Sequence, residues 1–355
     1  MLHARKRLRC RRDESGSILI TVVWMTVVLS LVAVAFSSRL MSQLSLVQRL
    51  EKDLNAYYLL QSGAELAKAV ILQDDFPAYD SCKEGWCNDA AKFREVRLGE
   101  GSFTLLHRAK EGVLSPAERR FGLADENGKL NLNTASAKEL ERLFDQTLPF
   151  RKREREEEST DARELADAVM DWRDADSDRR DFGAEKFEYL NKRFPYEAKD
   201  GPFESLDELL LVEGMNTKKF QAVEPYLTVY GNGKVNVHTA SEAVLVALGV
   251  SSMGANVVLG YRHGPDGREG TEDDQVFPSL PFFVSEFSRQ ASAEDGVKVA
   301  RLIRKDRLTV GSEAYSFTVS ARPREEGDQW KAFCVINGEG QTLVWRENVG
   351  MDLPG

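Results

Sequence analysis

The sequence is poor in the residues that build metal and redox centres: 355 positions hold four cysteines and four histidines. The histidines (His3, His107, His238, His263) are scattered, and no second cysteine pair accompanies Cys82 and Cys87, which argues against the usual zinc frameworks. Only 11 prolines in a chain that is 42% hydrophobic argue against disorder and leave room for two folded units with real cores. Surplus positive charge is missing too. A net charge of −9 argues against general affinity for nucleic-acid backbones or anionic lipid, because both need an excess of Lys and Arg on at least one face.

The positive charge is concentrated at the start, where Arg5, Lys6, Arg7, Arg9, Arg11 and Arg12 outnumber Asp13 and Glu14. Ser17 to Phe36 follow as twenty positions without a charge, enough to cross a bilayer as a helix. A basic flank stays in the cytoplasm, so the rest of the chain is expected outside it. A secretory signal peptide fits less well, since the apolar run is too long and no small-x-small cleavage site follows. The junction Glu14-Ser15-Gly16-Ser17, a basic leader ending in Gly just before the apolar run, resembles a prepilin peptidase site with cleavage after Gly16. Beyond the apolar run Leu40, Leu44, Val47, Leu50, Leu54, Tyr57, Tyr58, Ala64 and Leu66 continue at helical spacings. One helix is therefore expected from Ser17 to about Leu72.

After it, Ser102 to Arg108 and Phe121 to Leu132 read as short strands, and AYSFTVSA, WKAFCVI and TLVWREN near the C-terminus alternate as strands of the same antiparallel sheet. Between them the pattern is helical, charged and broken by Gly and Pro, the mark of an insertion. Arg151 to Thr160 reads as a solvated loop or helix end. The chain contains an internal echo: GKLNLNTAS (128–136) and GKVNVHTAS (233–241), each a strand end feeding a helix, with Thr134 and Thr239 or Ser136 and Ser241 as N-cap candidates. Cys82 and Cys87 could close a small disulfide outside the cytoplasm, Cys334 sits in an apolar run as core, and Cys10 belongs to the leader.

The leader and anchor, NLNTAS, Asp171-Trp172-Arg173-Asp174-Ala175-Asp176, Gly183-Ala184-Glu185, SLDELLLVEGM and the second NVHTAS together resemble, in order, the protein K family of minor pseudopilins in type II secretion, within the type IV pilin-like superfamily. The resemblance implies an α+β fold: a long N-terminal helix packed on an antiparallel sheet, with a large inserted helical domain. The expected divisions are a leader (1–16), the transmembrane part of the helix (17–36), the first part of the pilin-like domain (37–136), the inserted domain (137–309) and the closing strands (310–355). It implies a single-pass inner-membrane subunit with its soluble domain in the periplasm, placed at the pseudopilus tip to initiate or cap assembly. Its implied partners are minor pseudopilins I and J, the major pseudopilin G, prepilin peptidase and the inner-membrane platform, with no nucleic acid and no small-molecule substrate. Pilin-like helices normally carry Glu at the fifth mature position to hook a neighbour's amino terminus; here that position is Thr21, as expected of a tip subunit. Ser17 stands where a Phe is common, which bears on N-methylation.

The family's helical domain can bind calcium, and two acidic segments offer oxygen ligands for it: Asp171, Asp174, Asp176 and Asp178 with Glu185, and Asp266, Glu272, Asp273 and Asp274 on a Gly-rich loop. Neither has EF-hand spacing, and such ions would brace loops rather than catalyse. The rival reading is a helix-hairpin-helix DNA-binding or uptake element in SLDELLLVEGMNTKKF, but Gly214-Met215-Asn216 lacks the second Gly of that hairpin, and Lys218 and Lys219 alone supply little phosphate affinity. A membrane-tethered hydrolase has less support still, since no nucleophile with a paired base is visible.

Overall fold

A computed structural model describes residues 15–73, 78–108, 119–148, 158–324 and 329–347. The basic leader up to Glu14 and the charged run 151–157 lie outside the described residues. The chain divides into two compact units, 1–57 and 58–355.

The first unit is the N-terminal part of α1 (Ser15–Leu72), a 58-residue helix. Its side chains from Ile18 to Phe36 are uncharged, mostly apolar and exposed, and among the described residues it is the one helix long and apolar enough to cross a membrane. The last turns of α1 belong to the second unit, where Leu60, Ala64, Ala67 and Ile71 are buried at spacings of three and four along one stripe, with buried Leu59 beside it. Burying each Leu or Ile there contributes about 1.5–3 kcal/mol. Gly63 lets the helix approach the sheet, since a Cβ at this position would fall 2.4 Å from Val319.

In chain order the second unit continues with α2 (Ala90–Phe93), β1 (Val96–Leu98), β2 (Gly101–Arg108), β3 (Arg119–Phe121), β4 (Ala124–Asp125) and β5 (Leu130–Asn131). Then come α3 (Ala137–Thr147), α4 (Glu158–Arg173), α5 (Lys186–Leu190), α6 (Thr217–Val223), β6 (Leu227–Thr228), β7 (Val235–Asn236), α7 (Glu242–Ala247), α8 (Ser252–Arg262), α9 (Leu280–Gln290) and α10 (Ala293–Arg304). The described chain closes with β8 (Leu308–Thr309), β9 (Ala314–Arg322), β10 (Trp330–Asn337) and β11 (Thr342–Glu347).

The main sheet is antiparallel, in the order β1-β2-β9-β10-β11, with β3 beside β2 and β4 beside β9. Its inner face, including Phe103, Leu105, Phe317, Val319 and Cys334, packs in one core with the α1 stripe. The chain leaves this sheet at Asp125 and re-enters it at Ala314. Phe121 to Leu132 is therefore not the strand that its composition predicts. Asp125 accepts the Asn127 N–H at 2.7 Å and turns the backbone into a short 3-10 helix, after which β5 pairs in parallel with β6.

The helical region has its own core, running from Leu130 to Leu308, and it is built twice. β5 pairs in parallel with β6, and β7 with β8 in the same manner. In each copy the motif's first Asn accepts a backbone N–H two residues on, Asn133 in one and His238 in the other, and its carbonyl accepts from the Ala four residues on. The N-caps are Ser136 and Ser241, not the threonines. An arginine from the second helix after each motif then ties it down: Arg173 of α4 donates to the carbonyls of Leu132 and Ala135, and Arg262 of α8 to those of Val237 and Ala240.

Candidate functional site

The C-terminal turn of α4 delivers Asp171 and Asp174 to one place, and the loop that follows folds back so that Glu185, just before α5, joins them. Asp171 is fully buried and Glu185 is 6% exposed, yet one Asp171 oxygen, one Asp174 oxygen and both Glu185 oxygens have no hydrogen-bond partner. Unpartnered buried carboxylates are costly. Burial pushes the Asp171 carboxyl up to about 6. Burial, then the nearby charges of Asp171, Asp200 and Asp174, push Glu185 up to about 7. Asp174 is raised as well, first by burial and then by Asp176.

Gly183 lines the cluster so closely that a Cβ there would stand 1.9 Å from Asp171 Oδ2. Trp172, Tyr189 and Tyr196 form an aromatic wall beside it, with ring centroids 5.2 and 5.4 Å apart along the row. Asp176 and Asp178 are exposed, and Asp176 accepts the Asp178 N–H at 2.9 Å within the loop turn. Asp200, held at φ 49°, adds charge to the cluster from a turn with no acidic run to announce it.

The donor set is oxygen only, and four of its oxygens are buried without a hydrogen-bond partner, which is the chemistry a hard divalent cation would meet. No group of three or more His, Cys, Asp or Glu side chains among the described residues stands ready to hold one. What stands among the carboxylates instead is Arg180. Its Nε lies 3.3 Å from Asp171 Oδ1 and its Nη2 3.6 Å from Asp174 Oδ2, while its backbone N–H donates to Asp171 Oδ2 at 3.2 Å.

The second acidic segment is arranged differently. Asp266 Oδ1 accepts the Arg268 N–H, Asp273 accepts from Asp266 N and Thr271 Oγ1, and Asp274 accepts from Gly270 N and Thr271 Oγ1. Glu272 contributes its carbonyl, which receives the Lys83 ammonium at 3.0 Å, as does the Asp274 carbonyl at 2.8 Å. The acid that sequence reasoning passed over is Glu269, which pairs with Arg120 at 2.7 Å and with buried Arg262 at 3.4 Å; these arginines hold its carboxyl low against burial.

Of the other singled-out positions, Gly16 and Ser17 lie in the first turn of α1 and Thr21 in its exposed apolar part. Cys82 and Cys87 are joined in a disulfide, and Cys334 is buried with its thiol pushed up to about 12 by that burial. In the hairpin segment, a 3-10 turn (Leu206–Leu211) leads through Gly214 at φ 81° to α6, and Lys219 Nζ donates to the Gly214 carbonyl within the same loop. Lys218 is exposed.

Residues 123–232 match the family described as type II secretion system (T2SS), protein K. The match spans about a third of the chain. A chain of the crystal structure of the GspK-GspI-GspJ complex from the enterotoxigenic Escherichia coli type 2 secretion system is also similar: it matches with a TM-score of 0.58 and 18% identity, over 87% of this chain and 99% of that one. At that identity the likeness shows the fold. The fold of this chain, with its long helix, antiparallel sheet and further helices, matches that structure, and the resemblance to minor pseudopilin K that the sequence carries is borne out. No curated protein matches.

Proposed function

We propose that the chain works as a minor pseudopilin at the tip of a type II secretion pseudopilus, where it starts or caps the filament. The observation that carries this reading is α1 itself. A 58-residue helix begins with an uncharged membrane-length segment, lacks an acidic hook at Thr21, and runs into a sheet interrupted by a bulky helical insertion between β4 and β9. An insertion of that size would obstruct packing inside a helical filament and is tolerated at its end. The anchor would hold the subunit in the inner membrane, with the sheet and helical domains in the periplasm. Minor pseudopilins I and J would be its immediate neighbours, by analogy with the similar chain, which was crystallised in a GspK-GspI-GspJ complex; the major pseudopilin G would lie below. Its work is assembly rather than a reaction. A calcium ion at Asp171, Asp174 and Glu185 would brace the loop between α4 and α5.

Two measurements test this reading. Mass spectrometry of protein extracted from membranes with an active prepilin peptidase should find Ser17 as the amino terminus and show whether it is methylated. Detergent-solubilised protein should co-purify with minor pseudopilins I and J. Retention of Met1 together with failure to capture either partner would overturn the assignment.

A further inference from the structure

Arg180 occupies the place where the acidic cluster most needs a cation, and it does so loosely. Its side chain is 40% exposed, and although its Nε is 3.3 Å from Asp171 Oδ1, that oxygen has no hydrogen-bond partner. The second contact, to Asp174, is longer still at 3.6 Å. Both carboxylate oxygens of Glu185 are left without a partner. One half-exposed monovalent cation thus serves two of the three carboxylates, and Arg173 is close enough to repel it. The backbone anchor is separate, since the Arg180 N–H on Asp171 Oδ2 does not depend on where the guanidinium points.

We infer that the Arg180 side chain is a resident counter-ion for this cluster, displaced when a divalent cation binds Asp171, Asp174 and Glu185, so that Arg180 sets the concentration at which the loop takes up calcium. The inference rests on reading the cluster as a calcium site. A divalent ion has twice the charge and can meet all three carboxylates, which a single guanidinium at the rim does not. The guanidinium, carried on a flexible exposed stem, is free to swing into solvent while the loop backbone stays in place.

Calcium titrated calorimetrically into the full-length, detergent-solubilised protein tests it. Arg180→Gln should bind calcium about three- to tenfold more tightly than the parent, the loss of one competing, partly exposed ion pair. Arg179→Gln removes the same charge one residue away, where Arg179 pairs with Glu188 at 2.8 Å. It should bind like the parent. Arg180→Lys keeps a competing cation and should also stay close to the parent. Equal or weaker binding by Arg180→Gln, or equal tightening by Arg179→Gln or Arg180→Lys, would overturn the role of Arg180 while leaving the calcium site standing. Binding by Arg180→Gln alone supports the inference. If neither the parent nor Arg180→Gln takes up calcium, the calcium reading falls and the inference with it.

Discussion

His238 offers the sharpest test of how the two motif copies were made equivalent. In the first copy Asn133 accepts the Phe203 N–H at 2.8 Å and donates to the Phe203 carbonyl at 2.9 Å. In the second, His238 does the same work for a different loop: Nε2 accepts the Phe277 N–H at 2.7 Å and Nδ1 donates to the Val310 carbonyl at 3.1 Å. That pairing requires the neutral ring, because Nε2 must keep a lone pair. Burial, with the Arg262 charge adding to it, lowers the His238 pKa to about 4. Between that value and the ordinary 6.5 the unfolded chain binds a proton that the folded chain refuses, so stability is full above pH 6.5 and is lost as the pH falls toward 4. At pH 5 the loss from this group is about 2 kcal/mol. His238→Gln keeps an acceptor at similar reach without titrating. At pH 7.5 it should cost about 1 kcal/mol for the weakened bond to Val310. The assay is urea unfolding of the solubilised protein followed by tryptophan fluorescence at pH 7.5 and 5.0. The parent should lose stability relative to Gln on acidification until the order of the two reverses. Parallel pH dependence in parent and variant would refute the reasoning.

Glu185→Gln should act in the opposite direction. The folded state holds the Glu185 proton more tightly than the unfolded chain between pH 4.5 and about 7, so charging it costs stability as the pH rises through that window. With chelator at pH 8 the variant should melt higher than the parent, by roughly 1–3 kcal/mol in unfolding, and it should lose any stabilisation by calcium. Gly183→Ala places a methyl against Asp171 Oδ2 and should cost about 1–3 kcal/mol, read as a lower melting temperature in chelator. Asn236→Ala removes the donor to the Asp80 carbonyl, Asp125 and Ser312 and the acceptor for the His238 N–H, all in a fully buried setting. It should cost about 2–4 kcal/mol by denaturant midpoint, and a loss under 1 kcal/mol would show that water replaces these bonds.

The parts of this fold that repeat at a fixed period were legible from residues alone. The apolar spacing from Ser17 onward located α1, and the alternation in AYSFTVSA and WKAFCVI located β9 and β10. β5 was not legible, because two residues are too few to show a period and its partner β6 lies almost a hundred positions downstream. The equivalence of Arg173 and Arg262 was hidden by unequal intervening lengths: α4 has 16 residues and α8 has 11, so the two arginines follow their motifs at different distances. At the acidic cluster the contiguous carboxylates drew attention, but the set that comes together is buried Asp171 and Glu185 with half-buried Asp174 and the charge of exposed Asp200, while Asp176 and Asp178 face solvent. Consecutive loop residues cannot all point inward. The cation among them, Arg180, is one of a pair of arginines that only the fold distinguishes.

The two copies show how one scaffold can hold charge in two ways. Each ends its second long helix with an arginine that ties down the motif, and each is followed by an acidic loop. In the second copy the loop charge is met inside the protein: Glu269 lies between Arg120 and Arg262, the aspartates accept hydrogen bonds within their own turn, and Lys83 reaches over from the disulfide loop to two carbonyls. That arrangement needs nothing from solution, and it couples the second copy to the segment that follows α1. In the first copy the carboxylates outnumber their internal partners, and the arginine beside them is half in solvent. The order of the first loop is therefore the more exposed to the ionic surroundings, because its neutralising charge beside Asp171 and Asp174 is carried by a half-exposed side chain. A subunit assembled outside the cytoplasm, as proposed here, would meet those surroundings directly, and a divalent ion would stiffen the first copy without disturbing the second.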